Sequence, residues 1–246
     1  MGLLKTSLGP LAVNLGVAHS YDCIGTQSWV REGSSTNIGC GTLKRGCGTP
    51  SHLSSEGIRL KVIDLTQAFS LDLLVHTPHS GTHVDAPAYL FRNGKTIDQF
   101  GPDALFKDAV LLDLTHTKPG EQIDDEDLEA AEEEAGLGVR EGEAVILYTG
   151  WGDAEQNDQQ YPFLSANGAE YLEFKRVGAV GVDTPNLDSP QSRGCPAHAA
   201  LLRNEILVLE NLCNLSQVEQ ERFRMIALPL RMKGACSPVR AVAIVD

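Results

Sequence analysis

At 246 residues the chain suits one α/β domain, alone or with an appendage, and is long enough to bury a sizeable core. With 20 Lys and Arg against 33 Asp and Glu, its formal net charge of -13 argues against nucleic acid or an anionic membrane surface as the main partner. No apolar run approaches the roughly 20 residues that a membrane span needs, and no basic-then-apolar leader opens the chain, so the expectation is a soluble, cytoplasmic protein.

Residues 1–57 are rich in Gly, Ser, Thr and Asn ("EGSSTNIGCGTLKRGCGTPSHLSSEG") and carry no sustained apolar period, which predicts a loop-rich N-terminal arm. Gly2 with Thr6 fits the loose myristoylation pattern. Six cysteines, Cys23, Cys40, Cys47, Cys195, Cys213 and Cys236, are expected to be reduced thiols rather than a disulfide framework, and Cys40 and Cys47 match no zinc-finger spacing.

From "RLKVIDLTQ" onward short apolar runs alternate with helical patterns, and a single domain is expected over residues 58–246. Strands are predicted at Leu60–Leu65, Ala109–Leu114, Ala144–Tyr148, Ala179–Val182, Ile206–Leu209, Met225–Leu228 and Val239–Val245. "DDEDLEAAEEEAG" predicts a helix with acids in its first turn, where the dipole favours them, and Gly136 just past its end. Ser216 with Glu219 three residues on forms a capping-box pattern that predicts a further helix start. The alternation points to an α/β fold with a mixed sheet, and no internal repeat is present.

The chemistry concentrates in "HSGTHVDAPAY", from His79 to Tyr89. Neutral imidazole nitrogen and carboxylate oxygen are what a divalent metal binds, and His79, His83 and Asp85 supply that set. Gly81 permits a tight turn between the histidines, and Pro87 stiffens the exit. The competing reading is a surface loop whose histidines are satisfied locally. A second cluster weighs against it: "GVDTPNLDSP" leads towards His198, and Glu210 ends the apolar run "EILVLE". A carboxylate at the end of a buried strand is costly unless paired or metal-bound, so Glu210 is read as a ligand beside His198, or else as a partner of Arg203 or a nearby Lys.

The stretch resembles the His-x-Gly-Thr-His-x-Asp-x-Pro-x-His motif of the cyclase family, the group that includes bacterial-type kynurenine formamidase and isatin hydrolase. The resemblance continues through "GKTIDQF", "GEAVILYTGW", "GAVGVDTPNLD", "LENL" and "SPVRAVAIV", and covers the chain from about residue 58 to the end. It implies a swivelling β/β/α type of domain, commonly assembled as a homodimer or larger homo-oligomer. It also implies that His79, His83 and Asp85 hold one metal, and that Asp85 bridges to a second completed by His198 and Glu210, with zinc or manganese as the ions.

The function so implied is hydrolysis of a small-molecule amide, an arylformamide or cyclic amide as in tryptophan catabolism, by a metal-activated hydroxide, with Asp85 and Tyr89 as catalytic residues. Tyr89 departs from the family pattern: it stands where the motif's last His shuttles a proton or positions substrate, and a phenol is a poor general base at neutral pH. Two alternatives follow. One is a lactone or cyclic-imide hydrolase in which Tyr89 polarises a carbonyl; the other is a metal-binding module that has lost hydrolysis. His76 is weighed as a substitute for the missing His, and Trp29, Phe69, Trp151, Ser237 and Arg240 as pocket residues against plain packing or surface-pair roles.

Overall fold

The computed structural model describes residues 51–55, 58–67, 79–154 and 160–245. The expectations placed on Gly2, Thr6, Cys23, Trp29, Cys40, Cys47, Phe69 and His76, and on most of the 1–57 arm, lie outside those residues.

The strands with the longest apolar runs form the centre. β4 (Phe106–Asp113), β6 (Ala144–Tyr148), β8 (Ala179–Val182) and β9 (Leu207–Glu210) pair in parallel, and such strands read as near-continuous Val, Ile and Leu because both their faces are buried. The rest of the sheet is antiparallel: β1 (Ser51–Ser55), β2 (Ile58–Asp64), β3 (His83–Asp85), β10 (Arg222–Pro229) and β11 (Cys236–Val245). The strand order is β1-β2-β11-β10-β4-β6-β8-β9-β3, and β11 also pairs with β3. The strands from β11 round to β3 therefore close into a barrel-like ring, the mixed α/β architecture expected. Two short strands, β5 (Gln122–Ile123) and β7 (Phe163–Leu164), pair separately, and β1 adds a hairpin strand inside the stretch read as loop-rich.

Side-chain alternation divides the core in two. Val84, Leu111, Ile146, Leu209, Met225 and Val239 belong to a cluster inside the ring. Val110, Leu112, Val145, Leu147, Val180 and Val208 face outward, where the helices cover them. Those helices are α1 (Asp125–Ala135), α2 (Ala166–Phe174) and α3 (Pro196–Arg203), contributing Leu128, Leu172 and Leu201 to the same cluster. α1 ends as predicted: Asp124 and Asp127 form a capping box, and Gly136 closes the helix at φ 63°.

Two expectations are corrected. Ser216 opens no α-helix, because only a 3-10 turn forms over Leu215–Gln217, Val218 is already extended and β10 starts at Arg222. Glu219, the would-be capping partner, instead lies 3.0 Å from Lys61. Cys195 and Cys213 are disulfide-bonded rather than reduced, and both are buried in the core, where exchange with solvent thiols is restricted. Cys236 is a free, buried thiol.

Candidate metal centre

Three elements converge on one point of the ring's outer face. Val84 points into the interior, so its neighbours His83 and Asp85 point the other way, towards α3. The antiparallel pairing of β3 with β9 sets His83 directly opposite Glu210. α3 supplies His198 from its first turn.

Backbone devices fix these positions. Gly81 turns at φ 66°, a left-handed conformation, and brings His79 back over β3. Thr82 anchors the turn by donating to the Asn211 carbonyl at 2.6 Å and accepting from the Gln67 N–H at 2.6 Å. Beyond β3, Pro87 begins a single 3-10 turn, Pro87–Tyr89, that folds Tyr89 over the centre. Gly94 lies against this turn so closely that a Cβ there would stand 2.5 Å from the Pro87 carbonyl carbon.

The donor atoms interlock. His79 Nδ1 is 3.1 Å from Asp85 Oδ1 and 3.2 Å from His83 Nε2. His198 Nε2 is 3.5 Å from Asp85 Oδ2 and 3.1 Å from Glu210 Oε1, while Glu210 Oε2 lies 3.1 Å from His83 Nε2. Each carboxylate thus spans two halves, one around His79 and His83 and one around His198. Both Asp85 oxygens and His198 Nε2 are buried without a hydrogen-bond partner. Such atoms cost free energy unless something occupies them, and nitrogen and carboxylate donors converging this way suit a divalent cation.

The ring orientations follow from the partners behind. His83 Nδ1 faces the Gly81 carbonyl at 2.8 Å; that oxygen only accepts, so Nδ1 carries the hydrogen and Nε2 turns its lone pair to the centre. Asp188 does the same for His198, accepting from Nδ1 at 2.6 Å, and also accepts the Ala197 and His198 backbone N–H groups, which caps α3. Leu187 N–H donates to Glu210 at 2.7 Å. Asp188 went unassigned in the sequence because "NLDSP" gives no spacing signal; its proximity to His198 arises only when the loop after β8 folds against α3.

Without a cation, the carboxylates draw positive charge onto the histidines. Burial works against charge on His79, yet the Asp85 carboxylate beside it raises the imidazole to about 11. Burial likewise opposes charge on His83 and His198, but Asp85 and Glu210 raise the former, and Asp188, Asp85 and Glu210 raise the latter well above the ordinary range. Burial disfavours the Glu210 carboxylate, but the His198 imidazole 3.1 Å away holds it down to about 2, and the neighbouring histidines lower Asp85 against its own burial.

Tyr89 packs its ring 4.7 Å from that of His79 and 5.5 Å from that of His198. Burial and the nearby carboxylates push its phenol above the usual tyrosine range, so it faces the centre as a protonated hydroxyl. The other weighed residues are explained by packing or pairing. Trp151 is buried against Tyr161, Arg240 pairs with Asp64 at 2.6 Å, and Arg203 stacks over Phe91 rather than meeting Glu210.

Comparison with known proteins identifies relatives of the chain. Residues 63–189 match the family model described as "Putative cyclase". The chain is 34% identical over 166 residues to a kynurenine formamidase of Bacillus cereus, covering 67% of this chain and 75% of that one. Over 168 residues it is 34% identical to a kynurenine formamidase of Salinibacter ruber, covering 67% and 74%. Among solved structures, it is similar to a potential metal-dependent hydrolase with cyclase activity (TM-score 0.65, 25% identity, 76% of this chain and 98% of that one). An isatin hydrolase bound to the product analogue thioisatinate is comparably similar (TM-score 0.63, 25% identity, 76% and 82%).

Proposed function

Because the chain belongs to the cyclase family, we propose that it is a metal-dependent hydrolase that cleaves the C–N bond of a small-molecule amide, an arylformamide or a cyclic amide. The observation that carries this reading is Asp85, whose two buried oxygens lack hydrogen-bond partners and face different histidines. His79, His83 and Asp85 would hold one divalent cation, and Asp85, His198 and Glu210 a second, with zinc or manganese as the ions.

When bound, such cations supply Lewis acidity to a carbonyl and lower the pKa of a water from about 15.7 towards 7. The chain's own residues do the rest. Asp188 and the Gly81 carbonyl hold the protons of His198 and His83 on the far side of each ring, so the facing nitrogens stay free to ligate. Tyr89 roofs the centre between His79 and His198, excludes water, and donates a hydrogen bond to the substrate's carbonyl oxygen or leaving atom. A protonated phenol suits a donor and not a base. That observation favours, as a second reading, a lactone or cyclic-imide substrate, whose leaving group needs less help than an amine.

The same proposal includes a small-molecule substrate, a homodimer or larger homo-oligomer and a cytoplasmic location. Leu228, Leu230 and Met232, large exposed apolar residues at alternate positions around the end of β10, support the assembly, and among the described residues no helix is long and apolar enough to cross a membrane. The test is turnover of N-formylkynurenine, isatin and a simple lactone by protein loaded with zinc or manganese. Hydrolysis of at least one, abolished by chelation and restored by the cation, is expected. Less than about one bound cation per chain after loading would overturn the reading.

A further inference from the structure

The cation position beside His79 has one more donor within reach. Cys236 opens β11, and the pairing of β11 with β3 sets it directly opposite Asp85. Side chains of a directly opposed pair share one face of the sheet, so the thiol is on the ligand side of β3, the side that Val84 avoids. Its Sγ, a nitrogen of His79 and an oxygen of Asp85 all lie within 4.8 Å of one another. Two ligands on one tetrahedral zinc, at bond lengths of about 2.3 Å to sulfur and 2.0 Å to nitrogen, stand about 3.5 Å apart, so no pair of the three donors needs to close by more than about 1.3 Å.

Independent observations point the same way. Cys236 is free and buried, with 6% of its surface exposed. Asp85 Oδ1, the oxygen shared with His79, is one of the buried atoms without a partner. The backbone that carries the thiol is held on both sides: Ala86 N–H donates to the Ala235 carbonyl at 2.8 Å and Ile97 N–H to the Gly234 carbonyl at 2.9 Å. A strand pinned this firmly presents its first side chain at a set place, which is what a ligand requires and a packing thiol does not.

We infer that Cys236 is a thiolate ligand of the cation held by His79 and Asp85, and that it makes this position selective for zinc-class cations over manganese. The inference rests on the proposed metal-dependent function. On binding, the thiol loses its proton to bulk water and its sulfur lone pair forms the bond to the cation, with no change of oxidation state. Thiolate favours borderline-soft ions, whereas manganese prefers carboxylate and water oxygen, so one soft ligand among nitrogen and oxygen donors shifts the preference at this position alone.

Cobalt loading of the metal-free full chain tests it, because cobalt bound to any site absorbs in the visible, while cobalt bound to sulfur adds a near-ultraviolet charge-transfer band. Wild-type protein is expected to show both, and Cys236→Ser the visible absorption alone. Chelator competition should show zinc affinity falling about tenfold or more in Cys236→Ser with manganese affinity little changed. Visible absorption without the charge-transfer band in wild type, or a band that persists in Cys236→Ser, overturns the thiolate assignment and leaves the metal-dependent reading standing. No cobalt absorption at all, in a protein that melts cooperatively, overturns both.

Discussion

Replacing Asp188 by Asn isolates the contribution of the partner behind His198. The carboxylate accepts from three donors, His198 Nδ1 at 2.6 Å and the N–H groups of Ala197 and His198 at 2.8 and 3.2 Å, all buried. An amide has one accepting atom, so its NH2 must oppose either the imidazole N–H or the first turn of α3. A buried donor left facing a donor costs about 1–3 kcal/mol. If the imidazole switches tautomer to relieve the clash, Nε2 takes the hydrogen and stops being a ligand. Loss of a partner of this kind weakens metal binding by about 10- to 100-fold, equivalent to about 1.4–2.8 kcal/mol. Competition with a chromophoric chelator measures the affinity, and thermal melts of the metal-free protein measure the cap. An affinity within about twofold of wild type, alongside a lowered melting temperature, would refute the orienting role and leave Asp188 a helix cap only.

Four further outcomes follow from the same geometry. Asp85→Asn removes the carboxylate shared by both halves and should weaken cation binding by about a hundredfold; wild-type metal content after exhaustive dialysis would contradict the bridging role. His79 has a folded pKa of about 11, above an ordinary histidine's 6.5. Its protonation therefore stabilises the metal-free fold fully below pH 6.5 and stops doing so as pH rises towards 11. Calorimetry should find the metal-free melting temperature falling between neutral and alkaline pH, and titration at neutral pH in buffers of different ionisation enthalpy should find protons released on zinc binding; no release would refute the raised pKa. Tyr89→Phe should keep its cations and lose about a hundredfold in kcat if the hydroxyl is a donor to the reacting carbonyl, and unchanged kcat would reduce Tyr89 to a packing ring. Gly94→Ala places a Cβ 2.5 Å from the Pro87 carbonyl carbon and 2.7 Å from the Ala88 nitrogen, both backbone. The Tyr89 turn must shift, at a cost of about 1–3 kcal/mol, and activity should fall while cation content holds.

The parallel strands were legible because burial on both faces writes an uninterrupted apolar run: β6 and β8 occupy the predicted residues, β9 is shifted by one, and β4 starts three residues earlier and stops one short; the antiparallel β10 and β11 contain their predicted stretches and run beyond them. β3 was not, because His83 and Asp85 interrupt any apolar pattern and the strand exists through its neighbours β9 and β11 rather than by propensity. Ser216 shows the reverse failure, a local signal for a helix overridden by a strand that begins too soon after it. That His79, His83, Asp85, His198 and Glu210 gather at one point was legible from residue chemistry and motif. Asp188 and Cys236 were not, since a carboxylate in a loop and a thiol at a strand end gain meaning only from partners distant in sequence.

The closure of the ring has a consequence for how the molecule is made. β3 carries His83 and Asp85, early in the chain, and its partners in the sheet are the late strands β9 and β11. During synthesis His79, His83 and Asp85 emerge long before His198 and Glu210, so a chain stopped short of β9 lacks half of the donors. Pairings of such high sequence separation are intrinsically slow to form. Capture of a cation at the proposed centre would thus wait for β9, and a ribosome-bound chain stalled before it should carry the whole "HSGTHVDAP" motif and yet lack the donors of the second half.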